Sequence, residues 1–244
     1  LGTSLNLFSD SFKYNSFNNH GSVGLINMPT ARFFDESSFG FIAYDGTPDQ
    51  KITMTASPFD WFEASVFYTN IQGMPYPAFE EYQDYKDKGF NFKIRLKEEG
   101  KWPALAIGIN DLAGTGFYGS EYIVASYGIS NLDLHLGLGW GNYDGFQTLS
   151  NPFRVFSDRF NERSENVNMG GSLDMGRYFS GESASPFFGL SYVLKDKFVF
   201  KIERDTTLVP GRVTYEERNS ELSFGLDLIS SAASLAFLII SFPP

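Results

Sequence analysis

The chain has 244 residues, a net charge of −10 and no cysteine. The acidic balance argues against a nucleic-acid partner, because phosphate recognition needs a basic face. The missing thiols exclude disulfides, thiol catalysis and thiolate metal centres, and they suit an oxidising compartment.

Residues 1 to 20 are polar and irregular, and they read as a flexible lead-in with His20 as a surface histidine. Gly21 to Phe33 (GSVGLINMPTARF) reads as the first ordered piece, with Pro29 at the edge or end of a strand. Phe39 to Asp45 and Lys51 to Ser57 form a hairpin around Asp45-Gly46-Thr47-Pro48. In Trp61 to Asn70, Phe62, Ala64, Val66 and Tyr68 alternate with Glu63, Ser65 and Thr69. A long loop rich in tyrosine, proline and acid follows, from Gln72 to Lys88.

Four alternating segments then run from Tyr85 to Tyr143. Phe90, Phe92, Ile94 and Leu96 oppose Asn91, Lys93, Arg95 and Lys97. Leu105, Ile107 and Ile109 oppose Ala104, Ala106, Gly108 and Asn110. Ile123, Ala125, Tyr127 and Ile129 oppose Tyr122, Val124, Ser126 and Gly128. Leu132, Leu134, Leu136, Leu138 and Trp140 oppose Asp133, His135, Gly137, Gly139 and Gly141. A period of two marks a β-strand, because successive Cβ atoms point to opposite sides.

Gly141 to Glu165 lacks a repeat, and alternation returns at Asn166 to Met175. Pro186 to Leu194 pairs with Lys197 to Arg204 across Lys195-Asp196. Thr206 to Asn219 is a polar loop, Leu222 to Leu228 alternates, and Ala232 to Ser241 is the last strand. Long connections first fall at one end of the strands, but the later ones break that parity. A strand between Phe153 and Phe160, or an internal loop there, would restore it.

Phenylalanine and tyrosine are abundant, at 26 and 13, as in sheets and interfaces. Mean hydropathy is −0.19, a value compatible with a membrane barrel, since half of each strand faces water. No run reaches the roughly 18 apolar residues of a transmembrane helix. About a dozen strands with one apolar face and no covering helix predict an all-β, antiparallel transmembrane β-barrel. Its apolar face meets lipid and its glycine-rich polar face meets the lumen, in a single domain over residues 21 to 244. With no initiator methionine and a Pro243-Pro244 end, the chain reads as processed or cut from something longer, its C-terminal strands missing.

On the polar face stand Glu63, Lys93, Arg95, Asp133, His135, Lys201, Glu203 and Asp227. Inside a barrel they would form a ladder of opposite charges that packs the lumen or sets its selectivity. Trp61, Trp102, Trp140, Tyr143 and Tyr192 sit near strand ends, where interface aromatics belong. Catalytic motifs of the HExxH, GxSxG and GxxxxGK[ST] types are absent. Gly114-Thr115-Gly116 is a glycine turn without a following helix. Glu80, Glu81, Asp84 and Asp87 read as a solvated charge run without EF-hand spacing. No enzyme, metal site or cofactor is expected.

PTARF at 29 to 33, SPFDWFEASVFYTNI at 57 to 71, YKDKGFNFKIRL at 85 to 96, PALAIGINDLAGTGFYGSEYIVAS at 103 to 126 and LDLHLGLGWG at 132 to 141 resemble the YjbH family, whose members are also called GfcD or YmcA. The resemblance implies an outer-membrane β-barrel, encoded with exopolysaccharide or capsule genes and acting in polysaccharide secretion. Outer-membrane lipid, polysaccharide and export-system proteins are the implied partners, and family members are typically much longer. Phe67 and Tyr127 stand where the family usually carries basic residues. A general porin-like channel and a soluble sugar-binding β-sandwich are the alternatives. Leu134, Leu136, Ile94 and Phe224 decide among them: outward on a barrel, crowded together in a dry centre in a sandwich.

Overall fold

Residues 14–46, 49–75, 83–164, 173–208 and 221–229 are described, in a computed structural model. The alternating segments become β1 (Ser38–Asp45), β2 (Asp49–Phe59), β3 (Phe62–Pro75), β4 (Asp84–Lys97), β5 (Ala104–Leu112), β6 (Ser120–Ile129) and β7 (Leu132–Gly141). The short β8 (Leu149–Ser150) precedes β9 (Ser183–Leu194), β10 (Phe198–Arg204) and β11 (Leu222–Leu228). All pair antiparallel in one sheet of order β1-β2-β3-β4-β5-β6-β7-β9-β10-β11, and β8 pairs with β9. Eleven strands, two short 3₁₀ turns and no α-helix occur among the described residues.

The connections sort by length. Four tight ones lie at one end: Asp60-Trp61, residues 98–103, Ser130-Asn131 and residues 195–197. Lys195 and Asp196 both take positive φ there, the conformation that matches the twist of a tight hairpin. The other connections, most of them longer, lie at the opposite end, and the parity is unbroken. A strand over Asn166 to Met175, as the alternation there predicts, is what would break it. Residues 166–172 lie outside the described residues, and 173–175 belong to no strand. β7 pairs directly with β9. The expected last strand, Ala232 to Ser241, also lies outside the described residues.

Which side faces out is settled by burial. Leu134, Leu136, Ile94 and Phe224 are all exposed, Leu136 at 62% of its surface, whereas Lys93 and Asp133 are 1% exposed. The charged side of the sheet is thus the concave one. What fills it is the chain's own N-terminal segment, residues 14–34, hereafter the plug. Ser16, Asn18, Asn19 and His20, expected in a flexible lead-in and on the surface, are buried there. Only two isolated bridges, Phe17–Val23 and Gly24–Pro29, give the plug regular pairing. Leu25, Met28, Ala31 and Phe33 of the plug form one core cluster with Ala104, Ala106, Tyr122, Val124, Tyr143 and Phe187.

The sheet curls around the plug from both edges. A Cβ on Gly40 of β1 would lie 2.2 Å from the Phe17 ring. Tyr14 donates to Asp227 of β11 at 3.4 Å. Among the described residues β1 and β11 do not pair with each other.

The glycines of the inner face make room for this filling. At Gly137 an added Cβ would sit 2.1 Å from Cζ of Phe187, and at Gly108 it would sit 2.2 Å from Tyr122. Valine is a good strand former, so Gly137→Val tests the overlap alone. Because Phe187 is fully buried, the substitution is expected to destabilise the fold by about 1–3 kcal/mol. A lowered guanidinium unfolding midpoint would register it.

Candidate functional site

The plug has almost no secondary structure, yet a buried backbone must find partners for its N–H and C=O groups. Ion pairs on the inner wall supply them. Glu63 on β3 and Lys93 on β4 are register partners, 3.2 Å apart. Glu63 accepts the Val23 N–H at 3.0 Å, while Lys93 donates to the Val23 carbonyl at 3.1 Å and to the Arg32 carbonyl at 2.7 Å. One charge pair therefore holds both polar groups of a plug residue.

Lys201 and Glu203 repeat the device along β10. At the reversal Leu25–Met28, the Leu25 N–H donates to the Met28 carbonyl at 2.9 Å. The return bond is replaced by the wall. Glu203 accepts from the N–H groups of Ile26, Asn27 and Met28 at 3.0, 2.8 and 3.1 Å. Lys201 donates to the Leu25 carbonyl at 2.9 Å, bonds the Ser16 hydroxyl and pairs with Asp227 at 2.9 Å.

Near the tight-turn end the polarity is reversed, with the cation on the plug. Arg32 grips Asp133 of β7 through two hydrogen bonds of 2.8 and 2.6 Å, and it meets Glu99 at 2.5 Å. His135 lies beside Asp133 at 3.5 Å and bonds the Ser126 hydroxyl, which in turn accepts the Ala31 N–H. Arg95 is half-buried, with its guanidinium over the Phe33 ring and within 3.5 Å of Asp60. At the other end His20 packs edge-on against Tyr118 and Tyr143. Burial first, then the nearby Lys51, lowers its pKa well below the ordinary histidine value.

All eight charged or polar candidates thus lie on the enclosed side, and Glu63, Lys93, Lys201 and Glu203 share a partner that the sequence reading left out, the plug backbone. Its signal was weak, since residues 14–34 carry neither period. Two cavities, one lined by Asp111, Gly119 and Arg177 and one by Arg32, Asp133 and Lys201, hold about 20 and 10 Å³, each with room for about one water. The interior is packed.

The aromatic candidates divide. Trp61, Trp102 and Tyr192 are exposed toward the tight-turn end, with Trp61 stacked on Phe59. Trp140 and Tyr143 are not surface aromatics. Tyr143 points inward against Gly139 and bonds Asn110 at 3.0 Å. Trp140 leaves the sheet on its outer side but is covered by the β7–β9 connection, where its indole N–H donates to Asn151 at 3.0 Å. At Phe67, where a basic residue was expected from the resemblance, the ring packs inward against Tyr118 and under the Lys51 ammonium.

Comparison with known proteins bears out the family resemblance of the chain. It is 36% identical over 176 residues to the uncharacterized lipoprotein YjbH of Escherichia coli strain K12, a match covering 70% of this chain and 25% of that protein. The chain therefore spans about a quarter of the length of the curated relative it matches. No solved structure matches. The family model described as exopolysaccharide biosynthesis protein YbjH matches residues 16–228, from inside the plug to the end of β11, and the chain belongs to this YjbH family.

Proposed function

We propose that this chain forms a plugged outer-membrane β-barrel that assists exopolysaccharide secretion or surface assembly without enzymatic chemistry of its own. One observation carries the reading: the outward side is apolar on strand after strand, from Phe39 and Phe41 on β1 to Phe224 on β11. Water-soluble monomers rarely leave so large an apolar surface bare. A sandwich would cover it with a second sheet, and no second layer packs on it among the described residues. Tight turns at one end and longer loops at the other are the usual asymmetry of such barrels.

The family's description supplies the exopolysaccharide context, and the Escherichia coli relative, named a lipoprotein, fits an envelope location. The packed interior favours assistance over conduction. Polysaccharide and export-system proteins would then meet the protein at its loops, not through a bore. A general porin-like channel finds no such support.

Membrane fractionation tests the proposal. The protein is expected in the outer-membrane fraction, released only by detergent, and to run faster on a gel before boiling than after. Release without detergent, with a mobility that boiling leaves unchanged, would refute it.

A further inference from the structure

On the outer side of the sheet, two large side chains break the rule of exposure. Glu121 on β6 and Trp140 on β7 are register partners that face outward, yet they are 0% and 1% exposed. Residues 151–163 and 177–181 of the β7–β9 connection fold down over them as a flap. Arg163 binds Glu121 through two hydrogen bonds of 2.7 and 2.9 Å, and the Phe179 N–H adds a third of 2.9 Å. Phe153 stacks on Trp140 at 5.3 Å. Asn151 fixes the flap by donating to the carbonyls of Phe179 and Gly181 at 2.9 and 3.0 Å.

Having covered one apolar residue, the flap presents others. Its two 3₁₀ turns, Pro152–Val155 and Asp158–Phe160, bury none of their own residues. Val155 is 87% exposed and Phe156 77%. Arg154 and Arg159 flank them and are exposed too. The occupant of this surface follows from continuity. Going up the outer side of β7, Leu136 is bare, Leu138 is half-buried, and Trp140, only about 7 Å further on, lies under the flap. The flap therefore continues the apolar side of the sheet toward the long-loop end. Apolar side chains flanked by arginines suit the boundary between acyl chains and anionic headgroups.

We propose that the flap is an interfacial anchor: Val155 and Phe156 enter the leaflet at the long-loop end, and Arg154 and Arg159 meet lipid phosphates. The inference rests on the reading that the outward side of the sheet meets lipid. The absence of cysteine allows single nitroxide labels to test both separately. Phe156→Cys, Leu136→Cys and Gln72→Cys would be labelled in the full chain and reconstituted in vesicles of phosphatidylethanolamine and phosphatidylglycerol. Folding of each is checked by gel mobility before boiling. Oxygen partitions into the bilayer and a nickel chelate stays in water. The oxygen-to-nickel collision ratio at 136 and 156 is expected to exceed that at 72 by at least about threefold. A water-like ratio at 156 with a lipid-like one at 136 overturns the anchor alone. A water-like ratio at both overturns the lipid-facing reading as well. A label at 156 shielded from both reagents means contact with protein and also overturns the anchor.

Discussion

Replacing Glu203 with alanine is expected to loosen the plug more than any other single truncation on β10. The carboxylate takes three backbone N–H groups at one reversal, and among the described residues none of the three donates to a main-chain carbonyl. Each buried donor left without a partner costs about 1–3 kcal/mol, so a loss of about 3–6 kcal/mol is expected, the lower part of that range if water enters the space. Glu203→Gln keeps one acceptor oxygen but turns an amide N–H₂ toward a donor, so a loss of about 1–3 kcal/mol is expected from it. Guanidinium unfolding of the detergent-solubilised protein measures both. The order alanine worse than glutamine is the point at issue, and two equally mild variants would remove Glu203 from its role.

The second large effect concerns Glu63 and Lys93. Lys93→Met strands a carboxylate that is 2% exposed, and breaking a buried pair in this way typically costs about 3–5 kcal/mol. Glu63→Gln strands the ammonium in the same way. The double variant leaves no uncompensated charge, so its loss is expected to fall below the sum of the singles by at least about 2 kcal/mol. The double variant still lacks the two carbonyl contacts of Lys93, and it therefore does not return to the parent stability. Singles that simply add would mean that the two charges act on the plug independently.

Both predictions bear on function through one question, whether the plug stays in place. A wall that binds the plug backbone through Glu63, Lys93, Lys201 and Glu203, and the plug's Arg32 side chain through Asp133, uses these charges on the chain itself. The other inner charges, among them Lys51 and Asp49, 3.3 Å apart, are buried as well, which is why the proposed role in exopolysaccharide handling is placed at the loops.

Period-two alternation was enough to find nearly every strand from β1 to β11, because a strand's side-chain direction is local. It was also enough to put Lys93, Asp133 and Glu203 on one side and Leu136 and Phe224 on the other. Alternation misled where a non-neighbouring segment intervened. Trp140 keeps its outward parity, yet Phe153 and Phe179 fold over it. Asn166 to Met175 alternates in sequence, but the sheet passes straight from β7 to β9.

By itself, the sequence determined the strands, their two unlike faces and an antiparallel architecture, all of which follow from the geometry of adjacent residues. Only the tertiary structure decided what the charged face encloses. An irregular, asparagine- and serine-rich stretch reads as solvated when its neighbours in sequence offer its backbone no partners. Those partners come from Glu63, 40 positions beyond Val23, and from Glu203, 177 beyond Ile26, and no local pattern announces contacts at such a distance.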